Sequence, residues 1–297
     1  MTTLALEPFR ATLDDSGVSA GPIRRPDNIS KAALGSIHDD ATAHKLGFRG
    51  GTVAANTHYD QFSPLMIAAF GEDWLKTGGL SLYFLNATTD GEPVQAFVGP
   101  KVPREGGGFR AEVWMETPQG VRVCEGDGYV GGPDADSALR RRLKDVRPPG
   151  ELRLLKASQV GDVVRDLPVK IDWARAEGRL APITEPLAAY RDATIYGARV
   201  LQPALVIDAM RVVEPELFRP KSAYVGMFGA IEVQHLGGPV FVDHDYLVDG
   251  TVVALSDSPK TEVTWYESTM RDAADNRPVA RMILMSRLLK ASSTLWG

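Results

Sequence analysis

Apolar and polar residues in the first half of the chain predict a buried helix followed by antiparallel strands. Residues 52–69 form a nearly continuous apolar segment. Ser63-Pro64 within it marks a kink or a restart, because proline fits only the first turn of a helix. Short apolar or alternating runs follow, as half-buried strands require, at residues 80–85, 94–98, 109–115 and 121–130. The first half therefore predicts a helix and then a meander of strands.

A short helix is predicted just before the apolar segment. Asp40 is suited to be its N-cap, and the helix runs through Lys45 and Leu46. Gly47 follows as the residue after the C-cap, where glycine is common. A Gly-Gly pair at residues 50–51 then turns the chain into the buried helix.

The second half repeats this order. The tripeptide Asp-Ala-Thr begins at Asp40 and again at Asp192, about half the chain apart, and a glycine and a longer apolar run follow each copy. Asp192 is predicted to cap a helical turn, and residues 203–213 to form a buried helix that ends at Glu214-Pro215. A second antiparallel meander is predicted at residues 223–228, 230–235, 241–248, 251–255, 261–266 and 280–289.

The repeat predicts an α+β protein with two similar units. We place the N-terminal unit at residues 1–132, a linker at 133–151 and the C-terminal unit at 152–297. The ends of the linker are rich in Gly, Pro and Asp, and one basic helical turn is predicted between them at 139–146. That basic turn is most simply a solvated face.

Composition narrows the classes of protein. The chain has 297 residues, of which 44% are hydrophobic, enough for one large core or two ordinary ones. A net charge of −5 provides no basic field for nucleic acid or acidic lipid. No apolar stretch approaches the ~20 residues that span a bilayer, and the first residues lack a signal-peptide pattern. With its single Cys124 the chain forms no internal disulfide. We therefore expect a cytoplasmic protein that binds neither nucleic acid nor membrane.

A more specific pattern lies between residues 37 and 53. It comprises, in order, Ile37-His38, Asp40, alanines at 41 and 43, Gly47-Phe48, Gly50 and Thr52-Val53. This order resembles the MaoC-like family, the R-specific enoyl-CoA hydratase type, which carries an Asp-x-Asn-Pro-Ile-His motif before its central helix. The resemblance implies the hotdog fold, an antiparallel sheet wrapped around a central apolar helix. Two tandem hotdog units in one chain correspond to the double-hotdog members.

The hydratase motif is degenerate in both units. The resemblance places the catalytic Asp five residues before the histidine, where this chain has Ala33, and Gly35 and Ser36 stand at the Asn and Pro positions. In the second unit Tyr190 occupies the His position and Glu185 the Asp position. Water addition by this family needs a carboxylate and an imidazole. We therefore expect no ordinary enoyl-CoA hydratase activity.

Two histidines are candidates for catalysis. His38 stands at the family's histidine position, and imidazole is suited to proton transfer near neutral pH. His58 lies among polar residues at the start of the apolar helix, which either cap the helix or point into a wet cavity. It is the second catalytic candidate, as a substitute for the missing acid. The residues predicted to bind substrate are Asn56, Tyr59, Asp39 and Asp60.

Other polar clusters have simpler interpretations. A metal site is an alternative for one cluster, which consists of His38, Asp39, Asp40 and His44. No His-Glu-x-x-His or paired-Cys pattern accompanies these residues. We predict no metal and no cofactor. Residues 243–245, Asp-His-Asp, are predicted on an exposed strand, with the two acids on one face.

Together these features predict a lyase of the hydratase/dehydratase type. Its substrate is an unsaturated or β-oxygenated carbonyl compound, as a free small molecule or an acyl thioester, and its working pocket lies in the N-terminal half. Two alternatives stay open: an acyl-thioester hydrolase in which Asp39 or Asp60 activates water, and a catalytically silent partner subunit or ligand-binding protein. A homodimer or a larger assembly also stays open.

Overall fold

Twelve strands pair into one antiparallel sheet in the computed structural model, which describes residues 4–6, 9 and 11–296. The strands are β1 (Thr12–Leu13), β2 (Ser19–Ala20), β3 (Gly79–Phe84), β4 (Gln95–Val98), β5 (Val102–Pro103), β6 (Phe109–Glu116), β7 (Arg122–Val130), β8 (Val163–Val169), β9 (Gly226–His235), β10 (Tyr246–Asp257), β11 (Thr261–Asp272) and β12 (Pro278–Leu289). The helices are α1 (Asp40–Lys45), α2 (Ala55–Asp60), α3 (Ser63–Phe70), α4 (Trp74–Thr77), α5 (Ala138–Lys144), α6 (Trp173–Leu180), α7 (Pro203–Met210) and α8 (Glu214–Leu217). None of these helices is long and apolar enough to cross a membrane.

The strand order shows the internal repeat directly. From the seam between β3 and β9, the N-terminal unit runs β3-β7-β6-β4-β2, and the C-terminal unit runs β9-β12-β11-β10-β8. In both units the first strand of the meander lies at the seam, next to the last strand of the meander. Pairing of Leu80 with Val233 and of Leu82 with Ile231 makes the sheet continuous across the seam. The α+β double-hotdog prediction is confirmed.

Helices α3 and α7 occupy the core of the two units. Leu65 and Ile67 of α3 and Leu205 and Ile207 of α7 belong to one cluster of buried side chains. The predicted break in the first apolar segment is confirmed, because α2 ends at Asp60 and α3 restarts at Ser63 with a proline in its first turn. Helix α2 also packs against α7, and this contact brings the two units together beside the candidate site.

The predicted caps of the repeated Asp-Ala-Thr segments are wrong in both units. Asp39, not Asp40, is the N-cap of α1, and its carboxylate accepts from the Thr42 amide at 2.9 Å. Asp40 is the first helical residue, and its side chain accepts from the Gly51 amide at 2.7 Å. Asp192 accepts from the amide of Thr194 at 2.8 Å, and residues 193–198 after it form turns and bends instead of a helix.

The second half also differs from the prediction in its element boundaries. Pairs of predicted short strands merge into the long β9 and β10, and β8 and α6 were not predicted. Glu214-Pro215 begins α8 instead of ending the helical segment, because proline occupies a first turn. Asp243 lies in a turn before β10 with a φ of 59°, so residues 243–245 are not on a strand.

The segment at 133–151, predicted as a linker, packs on the outer face of the sheet. Leu139 of α5 is fully buried there with Ala230, Trp265 and Ile283. Within the predicted basic turn, Arg140 donates to Glu267 at 3.1 Å. The basic turn is therefore held against the sheet, and the division at residues 132 and 152 stays a proposal.

Candidate active site

A cavity of about 550 Å³ lies between the two units, beside the contact of α2 with α7. The N-terminal unit supplies the loop with His38, the segment that leads into α2, and the chain after β3. The C-terminal unit supplies side chains from α6, α7 and α8 and from the strands β9 and β12. The prediction that placed the working pocket in the N-terminal half describes only part of this cavity, because the second unit supplies the rest of its wall.

His38 lines the cavity with one ring nitrogen held by the backbone. Its Nδ1 lies 2.7 Å from the carbonyl oxygen of Thr52. A carbonyl oxygen only accepts, so Nδ1 carries the proton and donates it. In the neutral ring, Nε2 then keeps its lone pair, and no described residue hydrogen-bonds to it. His38 is thus arranged as a base at the cavity wall.

The backbone around His38 depends on close packing of its loop. The Asn28 side-chain amide donates to the His38 carbonyl oxygen at 2.7 Å, and the Thr52 amide donates to the carbonyl of Ile37 at 2.9 Å. A Cβ added at Gly51 would lie 2.3 Å from the His38 carbonyl oxygen. The second glycine of the Gly-Gly turn is therefore required for this close approach.

His58 also borders the cavity, but both of its ring nitrogens are occupied. Nε2 lies 2.8 Å from the Thr88 hydroxyl, and Nδ1 lies 3.2 Å from the Gln61 side-chain amide. The side chain is buried, and burial lowers the pKa of His58 to about 4. His58 is therefore neutral near pH 7 and lacks a free nitrogen for a substrate.

Asn56 connects the two units at the cavity. Its side-chain nitrogen donates to Asp208 of α7 at 3.2 Å, while its side-chain oxygen is buried and has no partner among the described residues. A buried unpaired acceptor costs about 1–3 kcal/mol. Since Asn56 lines the cavity, a bound water or substrate hydroxyl would satisfy this oxygen.

The other three predicted substrate-binding residues do not line the cavity. Asp39 caps α1, and its hydrogen bond with Thr42 holds its pKa below the usual value. The Tyr59 hydroxyl is buried, where it donates to the Leu80 carbonyl and accepts from the Val233 amide at 3.0 Å. Tyr59 therefore links α2 to the seam of the sheet.

Asp60 joins the two units below the cavity. Its carboxylate lies 3.2 Å from Nη2 of Arg179 and accepts from the Ala204 amide, at the start of α7, at 2.8 Å. Burial raises the pKa of Asp60 to about 6, against the opposing charge of Arg179. Asp60 is thus positioned to hold α6 and α7, and not to contact a ligand in the cavity.

The C-terminal wall carries charged side chains that the sequence did not predict. Arg211 forms a two-point ion pair with Glu214, at 3.0 and 2.7 Å, and Tyr266 donates to the same carboxylate at 2.8 Å. Asp208 lies 3.3 Å from Arg175 and 3.8 Å from Arg211. Asp208 is the single charge within the apolar run of α7, and that was the only local signal for this wall.

The positions of the degenerate motif do not rebuild a hydratase pair. Ala33 is exposed and does not line the cavity. In the second unit Glu185 forms an ion pair with Arg24, and Tyr190 is buried beside a separate small void. Within residues 4–6, 9 and 11–296, no group of three or more His, Cys, Asp and Glu side chains is placed to hold a metal ion.

Comparison with solved structures identifies the fold. Neither a protein-family model nor a curated protein matches this sequence. A structure named as a MaoC domain protein dehydratase from Chloroflexus aurantiacus aligns with a TM-score of 0.63 at 13% identity, covering 95% of this chain and 97% of the other. A conserved protein of Mycobacterium tuberculosis with a double hotdog fold aligns with a TM-score of 0.61 at 14% identity, covering 96% and 97%.

A third structure, named as a MaoC-like dehydratase, aligns with a TM-score of 0.54 at 14% identity, covering 92% of this chain and 97% of the other. These three alignments span both units. The chain therefore has the double hotdog fold, and MaoC-like dehydratases are among its structural neighbours.

Proposed function

We propose that the protein is a lyase of the hydratase/dehydratase type, acting on an unsaturated or β-oxygenated carbonyl compound, with His38 as the proton-transfer residue. The observation that carries this proposal is the hydrogen bond from Nδ1 of His38, a residue that lines the cavity, to the Thr52 carbonyl. It leaves Nε2 available as the base. The likeness to MaoC-like dehydratases supports the same reaction class at the level of the fold.

The proposed reaction differs from that of the family's Asp/His pair, because one imidazole both removes and returns the proton. In hydration, Nε2 of His38 removes a proton from water while the water oxygen bonds to the β-carbon and the electrons of the double bond move toward the carbonyl oxygen. The protonated imidazole then returns its proton to the α-carbon, which restores the neutral ring. In this scheme the unpaired oxygen of Asn56 accepts a hydrogen bond from the second O–H of the water and orients it, and that hydrogen stays on the product hydroxyl. Dehydration follows the same steps in reverse.

The acyl-thioester hydrolase is less well supported. The two carboxylates suggested for activating water lie outside the cavity, since Asp39 caps α1 and Asp60 is paired with Arg179. The carboxylates that do line it, Asp208 and Glu214, are within ion-pair distance of arginines. A silent partner subunit is also less well supported, because His38 and Asn56 each keep an unpartnered atom.

A substrate panel tests the proposal. The wild-type protein is incubated with α,β-unsaturated acids, their amides and their CoA thioesters, and loss of the conjugated absorbance is followed together with release of free thiol. We expect hydration of at least one compound without thiol release. Thiol release without hydration would favour the hydrolase, and no reaction with any compound would favour the silent partner.

A further inference from the structure

One cation in the cavity has no acidic partner. Arg179 and Arg211 line the cavity and pair with Asp60 and Glu214 at 3.2 and 2.7 Å. Arg287 of β12 lines the same cavity, and its hydrogen bond within the described chain goes to the neutral hydroxyl of Tyr83, at 2.7 Å. Arg287 forms no ion pair with any described residue, so no carboxylate offsets the charge of this cavity-lining side chain.

The guanidinium of Arg287 is held in place by its surroundings. Nη2 donates to the Tyr83 hydroxyl, and the guanidinium carbon lies 5.4 Å from the centre of the Tyr83 ring. A Cβ added at Gly229 of the neighbouring strand β9 would lie 2.6 Å from Nε of Arg287. The glycine therefore leaves room for the guanidinium, which keeps several N–H groups available for a ligand.

We propose that Arg287 binds a carboxylate of the substrate, so that the cavity accepts an unsaturated or β-oxygenated carbonyl compound bearing a free carboxylate. The planar fork of arginine matches a carboxylate with two parallel hydrogen bonds. The remaining charges of the wall are matched in ion pairs, which leaves one positive charge and favours a monoanion over a phosphate dianion. The substrate class rests on the proposed function, but binding of the carboxylate does not.

Binding measurements with a matched pair of ligands test the carboxylate site. Crotonate and crotonamide share a carbon skeleton and differ in charge, and each is titrated into the wild-type protein by calorimetry. We expect crotonate to bind at least about tenfold more tightly, since a hydrogen bond to a charged group contributes roughly 1.5–3 kcal/mol. Equal binding, or no measurable binding of crotonate, would overturn the site. Tighter binding of inorganic phosphate than of crotonate would assign it to a phosphate instead.

Variants separate Arg287 from its neighbours. Arg287→Gln should reduce the preference for crotonate to about one. Gly229→Ala should weaken it while retaining the charge, because the added methyl group would lie 2.0 Å from Cε of Met285 and 2.6 Å from Nε of Arg287, so both side chains must shift. Arg142→Gln is the matched control, since Arg142 contacts the same Tyr83 ring at 4.0 Å but pairs with Glu125 and does not line the cavity. It should keep the wild-type preference.

Each outcome bears on a different proposal. A preference that survives in Arg287→Gln would exclude Arg287 as the carboxylate site. Because no turnover is needed, these measurements stand even if the substrate panel shows no hydration. Failure of the lyase proposal and failure of the carboxylate site are thus distinguishable.

Discussion

The two units share one topology but supply different chemistry to the cavity between them. The N-terminal unit contributes His38 with a free nitrogen and Asn56 with an unpaired oxygen. The C-terminal unit contributes charge: the ion pair of Arg211 with Glu214, and Arg287, which pairs with no acid among the residues that the structure describes. A fused pair of units thus allows each copy to keep a different part of one site, which a symmetric pair of identical units could not do.

The largest expected effect comes from single substitutions at the motif's histidine position, which is His38 in the first unit and Tyr190 in the second. We expect His38→Ala to lower kcat by about 10²–10⁴-fold, the usual contribution of a general acid–base residue. Tyr190→Phe should leave kcat close to that of the wild type, because Tyr190 borders a separate void. Steady-state kinetics on the best compound of the panel, with thermal unfolding as a folding control, measures both. A large loss in Tyr190→Phe alone would move the site to the second unit.

Asp60 of α2 and Asp208 of α7 should contribute different amounts to the free energy of unfolding. Asp60→Ala leaves Arg179 charged and nearly buried, with 10% of its side chain exposed, and should cost about 3–5 kcal/mol of unfolding free energy at pH 7.5. Asp208→Ala breaks a pair with Arg175, whose side chain is 55% exposed, and removes the acceptor of the Asn56 side-chain amide. It should cost about 1–2 kcal/mol. Urea unfolding measures the difference. Equal losses would mean that both pairs are equally screened.

The buried histidine of the N-terminal unit should make stability depend on pH. The pKa of His58 is about 4 in the folded state and about 6.5 when unfolded. Its contribution is therefore complete above pH 6.5 and is lost as the pH falls from 6.5 toward 4. The free-energy gap between wild type and His58→Gln should shrink by about 2 kcal/mol from pH 7.5 to pH 5.

Two buried carboxyls act in the opposite direction over the same range, whereas the buried His235, whose pKa is also lowered to about 4, acts in the same direction as His58. Burial raises the pKa of Asp60 to about 6 and that of Glu232 to about 7, so these carboxyls bind protons more readily in the folded state. Subtracting the variant from the wild type at each pH removes their effect, because both proteins contain them. A gap that stays constant with pH would contradict the buried, neutral state of His58.

The smallest expected difference is in thermal stability, between substitutions in the two Asp-Ala-Thr regions. Asp39→Ala removes the N-cap of α1 and a second bond, from the Gly35 amide at 2.8 Å, so it should lower the midpoint of thermal unfolding. Asp192→Ala removes a bond within a local turn that caps no helix and should lower it less. A larger fall for Asp192→Ala would show that its turn stabilises the second unit more than the helix cap stabilises the first.

Local patterns in the sequence predicted the main elements of the N-terminal unit, but not the short β1, β2, β5 and α4. Alternation of apolar residues predicted its main strands, and the restart at Ser63 follows from the proline beside it. The repeat predicted the second unit, but the sequence pattern predicted two short strands in place of each of the long strands β9 and β10. A long strand in a continuous sheet has one face that is exposed in places and buried in others. The pattern of a few neighbouring residues therefore does not show where the strand ends.

The sequence by itself indicated an α+β repeat through its apolar periodicity. The resemblance of residues 37–53 to the MaoC-like family then implied the double hotdog fold and selected His38 as a candidate. Only the tertiary structure decided which polar residues meet in the cavity. Pairing of β3 with β9 brings His38 into one cavity with Arg287, and no local pattern encodes a contact across so many residues. The tertiary structure also decided that both ring nitrogens of His58 are hydrogen-bonded, to Thr88 and Gln61, while Nε2 of His38 has no partner among the described residues. Hydrogen-bond partners depend on packing in three dimensions, which residue type and position along the chain do not specify.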